Sequence, residues 1–296
     1  MEQLHGKVAV VTGSGSGLGR AMAERFAQEG MIVVIADNRL DAAEEVASAI
    51  ETAGGRALPF QVDVTDRASV QALADRVDAE LGGTDVLVNN AGVAAPTSYV
   101  DDDDAGWRWV TEVNFFGVLY GIQTFVPRML ERGGDAHVVS TASLGGVIGP
   151  LCLEGNRTRA GDRRTAEGGP MKSYMTSKHA VVALSEGLAG DLDGTPVGVS
   201  VLCPAHHEPS HIYENSARFR PAEFGGPMGE DNELAADRAT RVDQGHRDAS
   251  ELAARVVRAI RERHFYIFTH PETRFLVEAR FAQMLAGFDD AASFEG

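Results

Sequence analysis

Short runs of β-branched and apolar residues alternate along this chain with longer stretches in which apolar positions return every three or four residues. The short runs predict strands at Val8–Thr12, Ile32–Ala36, Ala57–Val62, Val86–Asn89, His137–Thr141, Val197–Cys203 and Phe265–Phe268. The longer ones predict helices at about 17–30, 40–53, 66–81, 104–132, 173–191, 248–263 and 272–287. A helical stretch after each strand is the pattern of repeated βα units. It predicts an α/β fold in which a seven-stranded parallel sheet, doubly wound, carries helices on both faces. No internal repeat and no linker divides the chain, so residues 1–296 read as a single domain.

Two segments break the rhythm. Residues 150–172 mix Arg157, Arg159, Arg163 and Arg164 with acids and glycines and read as an inserted loop. Residues 204–247, with Pro204, Pro209, Pro221 and Pro227, read as a second irregular stretch, a substrate loop. Both follow strands on the side where open α/β sheets bind ligands.

With 27 basic against 43 acidic residues the chain carries a net charge of −16, which disfavours nucleic acid and anionic membrane surfaces as partners. No apolar run is long enough to cross a bilayer, and Met1–Lys7 lacks the apolar core of an export signal. The expectation is a soluble, cytoplasmic protein acting on a small molecule. Cys152 and Cys203 are too few for a disulfide framework and are read as reduced and structural. The run Asp101–Asp104 lacks the spacing of a calcium loop and reads as a solvated helix start, with Trp107 and Trp109 beyond it as packing residues or part of a subunit contact.

Directly after the first strand comes Gly13-Ser14-Gly15-Ser16-Gly17-Leu18-Gly19, opening into a helical pattern. Glycines let the backbone approach a pyrophosphate, and the helix N-terminus stabilises its charge, so Gly13, Ser16, Gly17, Leu18 and Gly19 are candidate dinucleotide contacts. The second strand ends at Asp37, where a carboxylate accepts hydrogen bonds from the adenosine ribose and repels a 2′-phosphate. NAD is therefore favoured over NADP, with Arg39 as the residue that argues the other way.

Tyr174 and Lys178 lie four apart on a predicted helix and share one face. A tyrosine serving as a base near neutrality needs roughly 4 kcal/mol of phenolate stabilisation, which a nearby ammonium supplies. The glycine loop, Asn89-Asn90-Ala91-Gly92, Asn114, Ser143 and Tyr174-Met175-Thr176-Ser177-Lys178 together, in this order, resemble the short-chain dehydrogenases/reductases. The resemblance implies a Rossmann fold, NAD(P)-dependent interconversion of a secondary alcohol and a ketone, and no metal. It also implies a homodimer or homotetramer assembled through the fifth and sixth helices. By resemblance Tyr174 is the base, Lys178 lowers its pKa and holds the nicotinamide ribose, Ser143 positions the substrate oxygen, and Asn114 relays protons or else kinks its helix. Asp63 and Val64 match adenine contacts, although Asp63 also suits a helix cap. Asn90, Ala91, Gly92 and Pro204 match the cofactor's ribose and nicotinamide surroundings, with Asn90 equally a turn former.

The chain departs from the family in two places. Thirty residues separate Ser143 from Tyr174, more than is usual, which suggests either a lid carrying an arginine for an anionic substrate group or, the favoured reading for the individual arginines, a solvated, partly disordered excursion. After the sixth strand stands Pro204-Ala205, then His206-His207-Glu208-Pro209-Ser210-His211; Pro209 breaks the helix that a His207/His211 metal pair needs, and Ser210 stands in for the family's carboxamide threonine. Thr124–Met129 with Ser143–Gly146, and Ser210–Ile212 with Arg218–Ala222, are similar to bacterial Cα-dehydrogenases acting on lignin-derived aryl ethers. A bulky, aryl-bearing benzylic alcohol is thus the expected substrate, with hydroxysteroids and acyl ketones as alternatives. A non-catalytic dinucleotide sensor is the alternative from another class, disfavoured because all four catalytic positions are filled.

Overall fold

A computed structural model of the chain describes residues 1–99, 104–148, 171–229 and 247–294. The elements run β1 (Val8–Thr12), α1 (Gly17–Gln28), β2 (Ile32–Asp37), α2 (Leu40–Thr52), β3 (Arg56–Gln61), α3 (Arg67–Leu81) and β4 (Val86–Asn89). They continue through α4 (Asp104–Thr111), α5 (Gly117–Arg132), β5 (Ala136–Thr141), α6 (Lys172–Asp191), β6 (Val197–Cys203), β7 (His207–Glu208) and α7 (Ile212–Phe219). Last come β8 (Arg247–Asp248), α8 (Ala249–Glu262), β9 (Tyr266–Phe268) and α9 (Arg274–Phe294). Seven strands form one parallel sheet in the order β3-β2-β1-β4-β5-β6-β9, as the alternation predicts.

Side chains alternate across the sheet, so each strand feeds two cores. From β1, Ala9 and Val11 join Met22, Phe26, Val46, Leu252, Val256 and Ile260 beneath α1, α2 and α8. Val8 and Val10 join Leu73, Val77, Ile122, Phe125, Met129 and Val181 beneath α3, α5 and α6. Each such side chain contributes about 1.5–3 kcal/mol by leaving water, which is why the valine-rich strands have no polar face. The strand order reverses between β1 and β4, and the carboxyl ends of these two strands part there to leave a crevice.

The structure refines the sequence reading in four places. Residues 204–247 are not wholly irregular: they hold α7, whose buried Tyr213, Ser216 and Ala217 form one face, and β7 pairs in parallel with β8. Pro209 and Pro221 flank that helix and mask an eight-residue periodicity too short to stand out. The predicted helix over 104–132 is interrupted by a π turn at Glu112–Phe116. Lys172, assigned to the inserted loop, opens α6. Finally, α9 reaches Phe294 and leaves Phe275, Phe281, Leu285 and Phe288 exposed. The arginines of the inserted loop, Cys152 and Asp101–Asp103 lie outside the described residues. Among the described residues no helix is long and apolar enough to cross a membrane.

Candidate functional site

The crevice at the carboxyl ends of β1 and β4 is lined by Gly13, Ser16, Gly17, Leu18, Gly19, Asp37, Asp63, Val64, Asn90, Ala91, Gly92, Tyr174, Lys178 and Pro204. Residues predicted from six separate stretches of sequence thus face one cavity. The glycine loop has room for nothing larger at its two ends. Gly13 has φ +64, and a Cβ there would stand 2.7 Å from the Ala91 Cα; a Cβ on Gly19 would overlap the carbonyl oxygen of Gly13. Ser16 gives α1 no side-chain cap, and the backbone amides at such a helix start are the donor set an anion requires.

Asp37 is fixed on both oxygens: Oδ2 accepts from the Gly15 amide at 2.8 Å and Oδ1 from the Arg39 amide at 3.0 Å. Asp37 is 7% exposed and lines the cleft. Asn90 is equally committed, its Nδ2 donating to the carbonyls of Thr12 and Gly13 at 3.1 and 3.2 Å and its Oδ1 accepting from Thr141 Oγ1 at 3.2 Å. It ties the ends of β1, β4 and β5 together. Asp63 does not cap α3; Asp66 does, through the Ala68 amide at 2.9 Å, while Asp63 Oδ1 accepts from the amide and hydroxyl of Thr65.

Tyr174 and Lys178 stand on the first turns of α6, the ammonium 5.5 Å from the phenol ring centroid. Lys178 is 2% exposed and donates to the Thr141 carbonyl at 2.8 Å. Burial lowers its pKa to about 8. The neighbouring Cys203 thiol, buried and free, is pushed up to about 12 by the same loss of water. Ser143 follows β5 and caps the turn Leu144–Gly146, its Oγ accepting from the Gly145 amide at 3.1 Å and donating to the Pro204 carbonyl at 3.5 Å. Thr141 and Ala142, just before it, line the cavity. Asn114 is fully buried in the π turn; its Oδ1 accepts from the Val93 amide at 2.8 Å, and Nδ2 donates to the Val93 carbonyl at 3.0 Å and Ser177 Oγ at 3.1 Å. Its side chain pins the segment after β4 that leads into the cleft.

A family model for short chain dehydrogenase matches residues 7–153, β1 through β5 and beyond. The C alpha-dehydrogenase of a Sphingobium species is 32% identical over 291 residues, covering 96% of this chain and 87% of that one. The chain belongs to the short-chain dehydrogenase family. The 1-deoxy-11-beta-hydroxypentalenate dehydrogenase of Streptomyces exfoliatus is also 32% identical, over 94% of this chain and 88% of its own. A crystal structure of a short chain dehydrogenase/reductase from Burkholderia phymatum in complex with NAD superposes with a TM-score of 0.84 at 37% identity, covering 97% of both chains. The protein is thus an oxidoreductase of a family acting on secondary alcohols with a nicotinamide dinucleotide.

As a short-chain dehydrogenase it has a cleft with two unlike ends. The glycine-loop end is polar. Toward Tyr174 the lining includes Trp109, Val113, Ile212 and Phe224, and Trp109, Val110, Val113, Val93, Phe224 and Tyr174 pack as one cluster. Sequence reasoning missed Trp109 as a cleft residue, reading it as packing or part of a subunit contact. It is packed, at 3% exposure, and still borders the cavity; its buried neighbour Val110 and its place one turn before Val113 were the available signal. Trp107 does pack, donating from Nε1 to the Ser98 carbonyl at 2.9 Å against the Tyr99 ring. His207, Ser210 and His211 also line the cleft, and no metal-binding cluster exists among the described residues.

Proposed function

We propose that this chain is an NAD-linked dehydrogenase/reductase of bulky, aryl-bearing secondary alcohols, working in the cytoplasm as a homodimer or homotetramer. One observation carries the reading: a buried ammonium, Lys178, set 5.5 Å from the ring of Tyr174 in a cleft whose far end is a glycine cradle beside a carboxylate. The backbone amides of the cradle suit a pyrophosphate, and Asp37 suits the two ribose hydroxyls. When bound, NAD supplies a hydride acceptor.

The chain's own residues handle the proton and the orientation. The Tyr174 hydroxyl, as phenolate, accepts the carbinol proton, and Lys178 stabilises that phenolate in a site where few waters compete. Ser143 holds the carbinol oxygen once its hydroxyl turns from the Pro204 carbonyl, and Asn114 keeps the floor of the site rigid through Val93. Apolar walls at Trp109, Val113 and Phe224 exclude water and favour a flat aromatic substituent. The likeness to the Sphingobium C alpha-dehydrogenase points to the same substrate class.

Tyr174→Phe is the direct test. Assayed on a panel of aryl carbinols, steroids and short acyl ketones, turnover should fall by about 10²–10⁴-fold while the NADH dissociation constant holds. Retained turnover would reject the mechanism, and wild-type turnover of steroids alone would reject the aryl assignment.

A further inference from the structure

A basic residue two positions after Asp37 has the reach to neutralise a 2′-phosphate, and Arg39 lines the same cleft as Asp37. Where its guanidinium sits decides whether it can do so. Nε lies 3.9 Å from Asp37 Oδ1, and the guanidinium carbon lies 4.7 Å from the centroid of the Phe219 ring. Phe219 closes α7, a helix anchored at two points, one of them in the glycine loop at the cofactor end of the cleft. Asn215 Nδ2 donates to Ser16 Oγ in the glycine loop at 3.1 Å, and Ser216 Oγ accepts from the Ala94 amide at 2.9 Å. The ring is therefore delivered to Arg39 by a fixed element. Arg218, at 5.0 Å from the same ring, adds a second cation to it.

We propose that Phe219 is a specificity-determining residue for the cofactor, holding Arg39 in a stacked position from which it does not serve a 2′-phosphate. This rests on the dinucleotide reading above. To pair with such a phosphate, the guanidinium would have to leave the ring and the Asp37 carboxylate together. Discrimination against NADP then has two sources, repulsion by Asp37 and retention of Arg39. The second is held by a residue 180 positions away in the sequence. A partly exposed cation–π contact corresponds to roughly a two- to fivefold change in an equilibrium constant.

The test is equilibrium titration of the full-length protein with NADH and with NADPH, followed by nucleotide fluorescence. Phe219→Leu keeps the apolar cover and loses the π face. It should tighten NADPH about two- to fivefold relative to NADH, whereas Phe219→Tyr should keep the wild-type ratio. Adding Arg39→Gln to Phe219→Leu should remove the gain, since the freed guanidinium is its source. An unchanged ratio in Phe219→Leu, or equal weakening of both nucleotides, overturns the proposal and leaves α7 as a plain cover. If the wild-type protein binds neither nucleotide, the dinucleotide reading falls, and the proposal with it.

Discussion

The ammonium of Lys178 donates to the carbonyl of Thr141 at 2.8 Å in a position almost closed to water. Its pKa of about 8 against 10.5 for a free lysine means that the folded protein binds this proton less tightly than the unfolded chain does. The destabilisation is complete below pH 8 and is relieved as pH rises from 8 to 10.5. Measured by denaturant unfolding, the wild type should gain about 3 kcal/mol over that window relative to Lys178→Met. The same variant should lose turnover by about 10²–10⁴-fold, because the costly charge is the one beside Tyr174.

Asn114 satisfies both the amide and the carbonyl of Val93. Asn114→Ala leaves those groups without partners and should cost about 2 kcal/mol, seen as a fall in Tm of roughly 4–8 °C. Asn114→Asp should not rescue it, since a carboxylate cannot donate to the Val93 carbonyl. A Tm within one degree of wild type for either variant would contradict the assignment.

His137, near the start of β5, meets Ser200 Oγ at 2.7 Å, and that hydroxyl donates onward to the His264 carbonyl at 2.7 Å. Nε2 therefore carries the ring proton, and Nδ1 faces Gly198 without a partner. Burial lowers the pKa from 6.5 to about 3. As pH falls below 6.5 the unfolded chain takes up a proton that the native state refuses, so stability declines from there toward pH 3. Between pH 7.5 and 5 this contributes about 2 kcal/mol of loss. His137→Leu should show a shallower decline over that range, and an identical slope would refute the cause.

Two glycines give opposite expectations. Gly19→Ala drives a methyl into Gly13 and Asn90 and should abolish NADH binding in titration. Gly187, in the interior of α6 with nothing near its missing Cβ, should as alanine raise stability by about 0.5–1 kcal/mol.

Most of this architecture was legible because burial writes itself into composition. The strands β1, β2, β4 and β6 are mostly apolar since both faces are covered, and each predicted boundary from β1 to β6 lies within a residue or two of the observed one. The glycine loop, Asp37, Tyr174 and Lys178 were readable for a related reason: their spacing follows from strand ends and helix turns, which are local. What stayed hidden depends on distance. Nothing near Phe219 in the chain says that it meets Arg39, and nothing near Trp109 says that its ring borders the cavity. Ser143 was found in sequence, but its hydroxyl's bond to Pro204 comes from a strand that arrives sixty residues later.

The π turn at Glu112–Phe116 has a consequence for how the helix is phased. Each residue along an α-helix advances the side-chain direction by about 100°. A wider turn inserts an offset between α4, whose Trp109 and Val110 are buried on the cleft side, and α5, whose Val118, Ile122, Phe125 and Met129 are buried against the sheet. Removing a single residue from that turn would restore a regular helix and rotate one half against the other. Either the aromatic wall or the sheet-facing stripe would then look into solvent. The irregular turn acts as a phase shifter that lets one continuous rod serve two surfaces set at different angles.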